Sequence, residues 1–112
     1  MHIIEFAPPM FNISGRFNTF RLGMRYSKIL KVNDTVALID RSKLFLMGYA
    51  KVEAIHLGKL ADMALEHAAM NHNQMGKVDA PDLLIEAMIK RYGPHMVSID
   101  KKVTVLYLQL VS

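Results

Sequence analysis

Residues 103–111, VTVLYLQLV, are apolar at nearly every position, and no other stretch constrains the fold as tightly. A strand with one wet face alternates apolar and polar residues, so a strand without alternation needs cover on both faces. This run is expected to be a strand central to a small sheet or barrel. The 112 residues, 52% hydrophobic and 21% charged, suit a folded globule rather than a disordered chain. One domain over residues 1–112 is expected, burying roughly two-thirds of the surface of the unfolded chain.

Upstream, the hydrophobic period changes once. Before Leu60 the pattern is that of strands. His2–Phe6 is short and apolar, closed by Pro8 and Pro9. In Phe17–Leu22 the alternation sends Phe17, Thr19 and Arg21 to one side and Asn18, Phe20 and Leu22 to the other, with Phe20 and Leu22 anchoring the strand. KVND, residues 31–34, reads as a turn in which Asn33 takes the left-handed conformation. Thr35–Ile39 follows as a strand. Leu44–Ile55 reads as a longer one, with Leu44, Leu46, Gly48, Ala50, Val52 and Ala54 facing inward and Gly48 marking a bend or bulge.

From Leu60 a helical stripe appears: Leu60, Ala61, Ala64, Leu65 and Ala68. A second helix starts near Asp79 with Pro81 in its first turn, buries Ile85, Met88, Ile89 and Tyr92, and stops at Gly93-Pro94. Strands, two helices and a closing strand together predict an α+β fold with a curled, mostly antiparallel sheet.

Several function classes are excluded or disfavoured. LFLMGYA, residues 44–50, is the longest apolar candidate and falls far short of the ~20 residues needed to span a bilayer. MHIIEFAPPM carries no basic leader ahead of an apolar run, so a secretion signal is not expected. The absence of cysteine removes disulfides, thiolate metal sites and cysteine nucleophiles; it fits a reducing, cytoplasmic location. His67 and His72 lie about 140° apart on a helix and cannot share a metal from one face, so no metal is expected. No serine sits in a nucleophile elbow, and glycine-rich phosphate loops are missing. No catalytic residue is assigned.

The net charge is +4, and its placement is uneven. Arg16, Arg21, Arg25, Lys28 and Lys31 follow one another with no acid between them. Within this segment lies SGRFNTFRLG, residues 14–23. Thr19 and Arg21 share a strand face about 7 Å apart, with Arg16 at the entrance, and such groups suit a phosphate, a carboxylate or a nucleobase edge. A solvated basic edge that discourages aggregation is the competing account.

The stretch resembles the glycine–lysine–x–x–threonine–x–arginine signature of the ASCH domains, a branch of the PUA-like β-barrels. The resemblance continues in order over about residues 14–110, through Asn33-Asp34, GYAKV at 48–52, RYGP at 91–94 and VTVLYLQL. It implies a PUA-like barrel with two helices inserted before the last strand, RNA or a nucleotide-like ligand as partner, and no cofactor. It also implies an alternative activity, amide hydrolysis of an acetylated cytidine. In that pattern Thr19 matches the threonine and Arg21 the arginine, but Arg16 stands where the lysine should be. MNHNQMGKV, residues 70–78, lacks the expected glutamate. An arginine stays protonated and cannot act as a neutral base, so binding is expected to persist where hydrolysis does not.

The expected ligand contacts are therefore Arg16, Thr19 and Arg21, with phosphate contacts from Arg25 and Lys28 and a stacking face from Tyr49. Hydrolysis would require another general base, Asp79 or His72. The third alternative is a non-catalytic interaction module in which exposed Phe11 and Phe45 sit in a dimer interface. A membrane partner is not expected.

Overall fold

The closing strand does run between two neighbours. In the computed structural model, which describes residues 1–111, β1 (His2–Phe6), β2 (Arg16–Leu22), β3 (Thr35–Asp40), β4 (Phe45–Lys59) and β5 (Lys102–Leu110) form one sheet. Its order is β1-β3-β4-β5-β2. Only β1 and β3 pair in parallel; the other ladders are antiparallel. Three helices complete this α+β domain: α1 (Arg25–Ile29), α2 (Leu60–His67) and α3 (Ala80–Tyr92). No helix among the described residues is long and apolar enough to cross a membrane.

Unbroken hydrophobicity in β5 reflects two cores, one on each face. Val103, Val105 and Tyr107 join Phe20, Leu60, Ala64, Leu84 and Met88 beneath the helices. Leu106 and Leu108 join Ile4, Phe17, Val36, Leu38 and Val52 on the other side. The same division corrects the reading of β2. Its two faces were expected to be one core face and one ligand face, yet Phe17, Asn18, Thr19 and Phe20 are all buried.

The sheet is not closed. β1 and β2 are its ends, and they meet through side chains: Arg21 Nη1 donates to the Glu5 carbonyl at 2.6 Å, and the Phe6 and Phe17 rings lie 6.4 Å apart. Mutual proximity without a ladder leaves a seam between the edges, and the site forms there.

Several local expectations hold. Asn33 takes φ 79°, its N–H donates to the Val52 carbonyl, and the Asp34 carboxylate accepts from the Lys31 N–H. Gly93 caps α3 at φ 90°, donating to the Ile89 carbonyl. Ile39 opposes Leu46 while Leu38 opposes Gly48, so Met47 is an extra residue and Gly48 does lie at a bulge.

That bulge also overturns an expectation. An extra residue switches which face the preceding side chains occupy, and Leu46 is exposed instead of inward. Leu44 lies in the turn itself at φ 52° and is 86% exposed. In α2, Leu65 is 76% exposed and Met63 takes the inward place. Met63 is three residues from Leu60, on its face; Leu65 is five residues away, about 140° round the helix. The helix α1 was not expected, since five residues carry too little periodicity to register.

Candidate anion-binding cleft

Thr19 and Arg21 come together as their spacing implies. Thr19 is buried, and its Oγ1 accepts from Arg21 Nε at 3.3 Å. Arg21 is half-buried, with its guanidinium 4.8 Å from the Phe6 ring centroid and 6.0 Å from that of Tyr26. Burial lowers its pKa from the ordinary arginine value, while neighbouring Tyr92 and Tyr26 act to raise it. An arginine nonetheless remains cationic at neutral pH. No carboxylate among the described residues lies within ion-pair distance of it. A cation drawn partly out of water with no anion beside it is costly, so this placement favours a negatively charged ligand.

Two cavities meet at Arg21. The inner pocket, about 80 Å³, is lined by Thr19, Arg21, His72, Gln74, Arg91 and Tyr92 among others. The outer basin, about 570 Å³, is bordered by Arg21, Arg25, Arg41 and Arg91, by the rings of Tyr26 and Tyr92, and by Glu5. Small-molecule sites commonly enclose about 300–1,000 Å³, so the basin can take a nucleotide-sized group. The inner pocket is smaller than the roughly 150 Å³ cavity that admits a benzene ring. The Glu5 carboxylate lies 3.8 Å from Arg41 and offsets that one charge; among the described residues Arg21, Arg25 and Arg91 have no carboxylate at ion-pair distance.

A polar loop forms the wall of the inner pocket. Residues 71–74, NHNQ, lie against β2, where the His72 N–H donates to the Asn18 carbonyl. Asn73 ties the loop to the N-terminal segment: its Oδ1 accepts from the Phe11 N–H and its Nδ2 donates to the Pro9 carbonyl. Because Asn73 Oδ1 is an acceptor, His72 Nδ1, 3.0 Å away, carries the proton and Nε2 keeps its lone pair. Burial first, then the Arg21 charge, lowers the His72 pKa to about 4. His72 is therefore neutral at pH 7. Gln74 is 5% exposed, and its Oε1 has no hydrogen-bond partner.

The remaining predicted contacts separate. Arg16 differs from Arg21 by an odd number of residues, so alternation places it on the opposite face of β2. It pairs there with Glu53 at 2.8 Å and lies over the Tyr107 ring, whose hydroxyl is 2.6 Å from His67 Nδ1. Glu53 reaches it because β4 has an irregularity between Val52 and Ala54. Arg16 thus has its own anion and is not part of the cleft. Arg25 does line the basin, but Lys28 and Tyr49 border neither cavity. Tyr49 is exposed on β4, opposite Ala37. Asp79 is exposed at the start of α3 and does not line the inner pocket. Among the described residues no cluster of three or more His, Asp or Glu suits a metal ion.

Arg41, Arg91, Tyr26 and Tyr92 complete the basin, and sequence reasoning missed them as ligand contacts. Arg91 sits within RYGP, where the helix end was the visible signal; nothing local ties it to Arg21.

No family model matches this chain. No curated protein matches it. Among solved structures, its fold is similar to the crystal structure of a DUF984-family protein from Enterococcus faecalis, with a TM-score of 0.62 and 8% identity. The similarity covers 87% of this chain and 61% of that one, so this chain spans about three-fifths of its length. At that identity the likeness is one of fold.

Proposed function

We propose that this chain is a divergent ASCH-type, PUA-like domain that binds RNA or a nucleotide-like ligand in the cleft around Arg21. The observation that carries the reading is Arg21 itself: a half-buried guanidinium without a carboxylate partner, facing a basin that Arg25, Arg41 and Arg91 also border. Tyr26 and Tyr92 supply rings against which a base can stack while the arginines hold phosphates. The competing hydrolase reading draws less support. Of its two proposed bases only His72 reaches the pocket, and a pKa near 4 makes it a weak base at neutral pH.

Fluorescence polarisation with a short single-stranded RNA, repeated over a range of salt, tests the proposal. Each phosphate neutralised on a single strand contributes a slope of about −0.7 to log K against log salt. Contacts from three or four arginines give an expected slope between about −2 and −3. Binding indifferent to salt is incompatible with the proposal.

A further inference from the structure

Arg91 borders a third cavity as well. This groove, about 570 Å³, adjoins the inner pocket. The inner pocket shares Arg21 and Tyr92 with the basin, and Ala7, Asn73 and Ala87 with the groove. The three cavities therefore form one track, with Arg91 at the junction. Each end matches the volume of ordinary small-ligand sites, and the middle is a smaller pocket, open to solvent as the ends are.

We propose that the occupant is a single-stranded nucleic acid of at least three nucleotides crossing Arg91, with Lys90 contacting a phosphate beyond the basin. This inference rests on the reading of the cleft given above. A lone nucleotide fills one end of the track and leaves the other empty. A strand uses both ends, with a phosphodiester, smaller than any base, facing Arg21 and Arg91 at the central pocket.

The charges agree with that path. Arg25 and Arg41 border the basin, Arg21 and Arg91 the middle, and Lys90 the groove, where Glu86 is the one acid. Pro8, Pro9 and Leu83 give the groove an apolar surface for a base to rest on. Asn73 holds the adjoining backbone through its bonds to Pro9 and Phe11, so this surface does not depend on ligand binding to form.

The test is competition against a fluorescent, mixed-sequence RNA octamer at about 50 mM salt, where phosphate contacts are strong. Unlabelled ribonucleotides of one, two, three and four units serve as competitors. Trimer and tetramer are expected to displace the octamer at concentrations at least about tenfold below the monomer, since each added phosphate brings its own counterion release. Lys90→Ala, a change at an exposed residue, should weaken the tetramer several-fold and leave the monomer unchanged. Equal potency of monomer and tetramer, or a tetramer indifferent to Lys90→Ala, overturns the inference while leaving the cleft assignment standing. An octamer that does not bind at all overturns both.

Discussion

Arg21→Ala is expected to weaken RNA binding by roughly 10- to 100-fold, whereas Arg16→Ala, which removes the same formal charge, should change it less than about twofold. The first figure follows from the 1.5–3 kcal/mol, approximately, that a hydrogen bond to a charged group contributes. Of its five N–H groups, Arg21 spends one on Thr19 and one on the Glu5 carbonyl, leaving three for a ligand. Arg16 is committed to Glu53 on the opposite face, in an exposed pair of the kind worth about 0–1 kcal/mol.

Because Arg21 also bridges the sheet seam, its removal costs stability as well as affinity. Two further variants separate the effects. Arg21→Lys keeps the charge and loses the planar fork, so an intermediate affinity is expected. Arg91→Ala alters an exposed side chain and should weaken binding with little change in the melting temperature. A loss on Arg16→Ala equal to that on Arg21→Ala would place the site on the wrong face.

Acid should destabilise the fold through His72. In the unfolded chain this histidine takes up a proton near pH 6.5; in the folded chain it does so only near pH 4. Between those values the unfolded state binds more protons, so stability is fully present above pH 6.5 and is lost as the pH falls toward 4. The size of the shift corresponds to roughly 2–4 kcal/mol. His67, whose pKa is also lowered by burial, contributes in the same direction.

Urea unfolding at a series of pH values measures the loss. His72→Phe should flatten the profile, since a phenyl ring fits among Phe6 and Phe17, which meet the His72 ring edge-on. The Phe11 N–H remains to occupy Asn73 Oδ1. A profile equally steep in His72→Phe would assign the acid sensitivity elsewhere.

The sequence was most legible where the cause is local. Asn33 in its turn, Gly93 at the end of α3 and the unbroken apolar run of β5 each depend on neighbours in the chain, and each is found as read. Thr19 and Arg21 converge because a two-residue period is enough to place them together. Errors arose where one residue changes a register or an angle. The bulge at Met47 turned Leu46 outward, and the stripe in α2 follows Met63 instead of Leu65. Arg16 was grouped with Arg21 by nearness in sequence, although alternation sends it to the other face. Arg41 and Arg91 join the cleft only through folding, and composition alone could not distinguish them from other surface cations. Of the NHNQ loop only His72 was singled out, for a related reason: its polar residues are held in place by bonds to β2 and to the segment before it.

The most direct test of the cleft assignment is amide chemical-shift mapping as single-stranded RNA is added. Shifts are expected to cluster at Thr19, Arg21, His72, Asn73, Arg91 and Tyr92, with Arg16, Glu53 and His67 unmoved. Shifts concentrated around Arg16, Glu53, His67 and Tyr107 instead would contradict the assignment and move the site to the opposite face of the sheet.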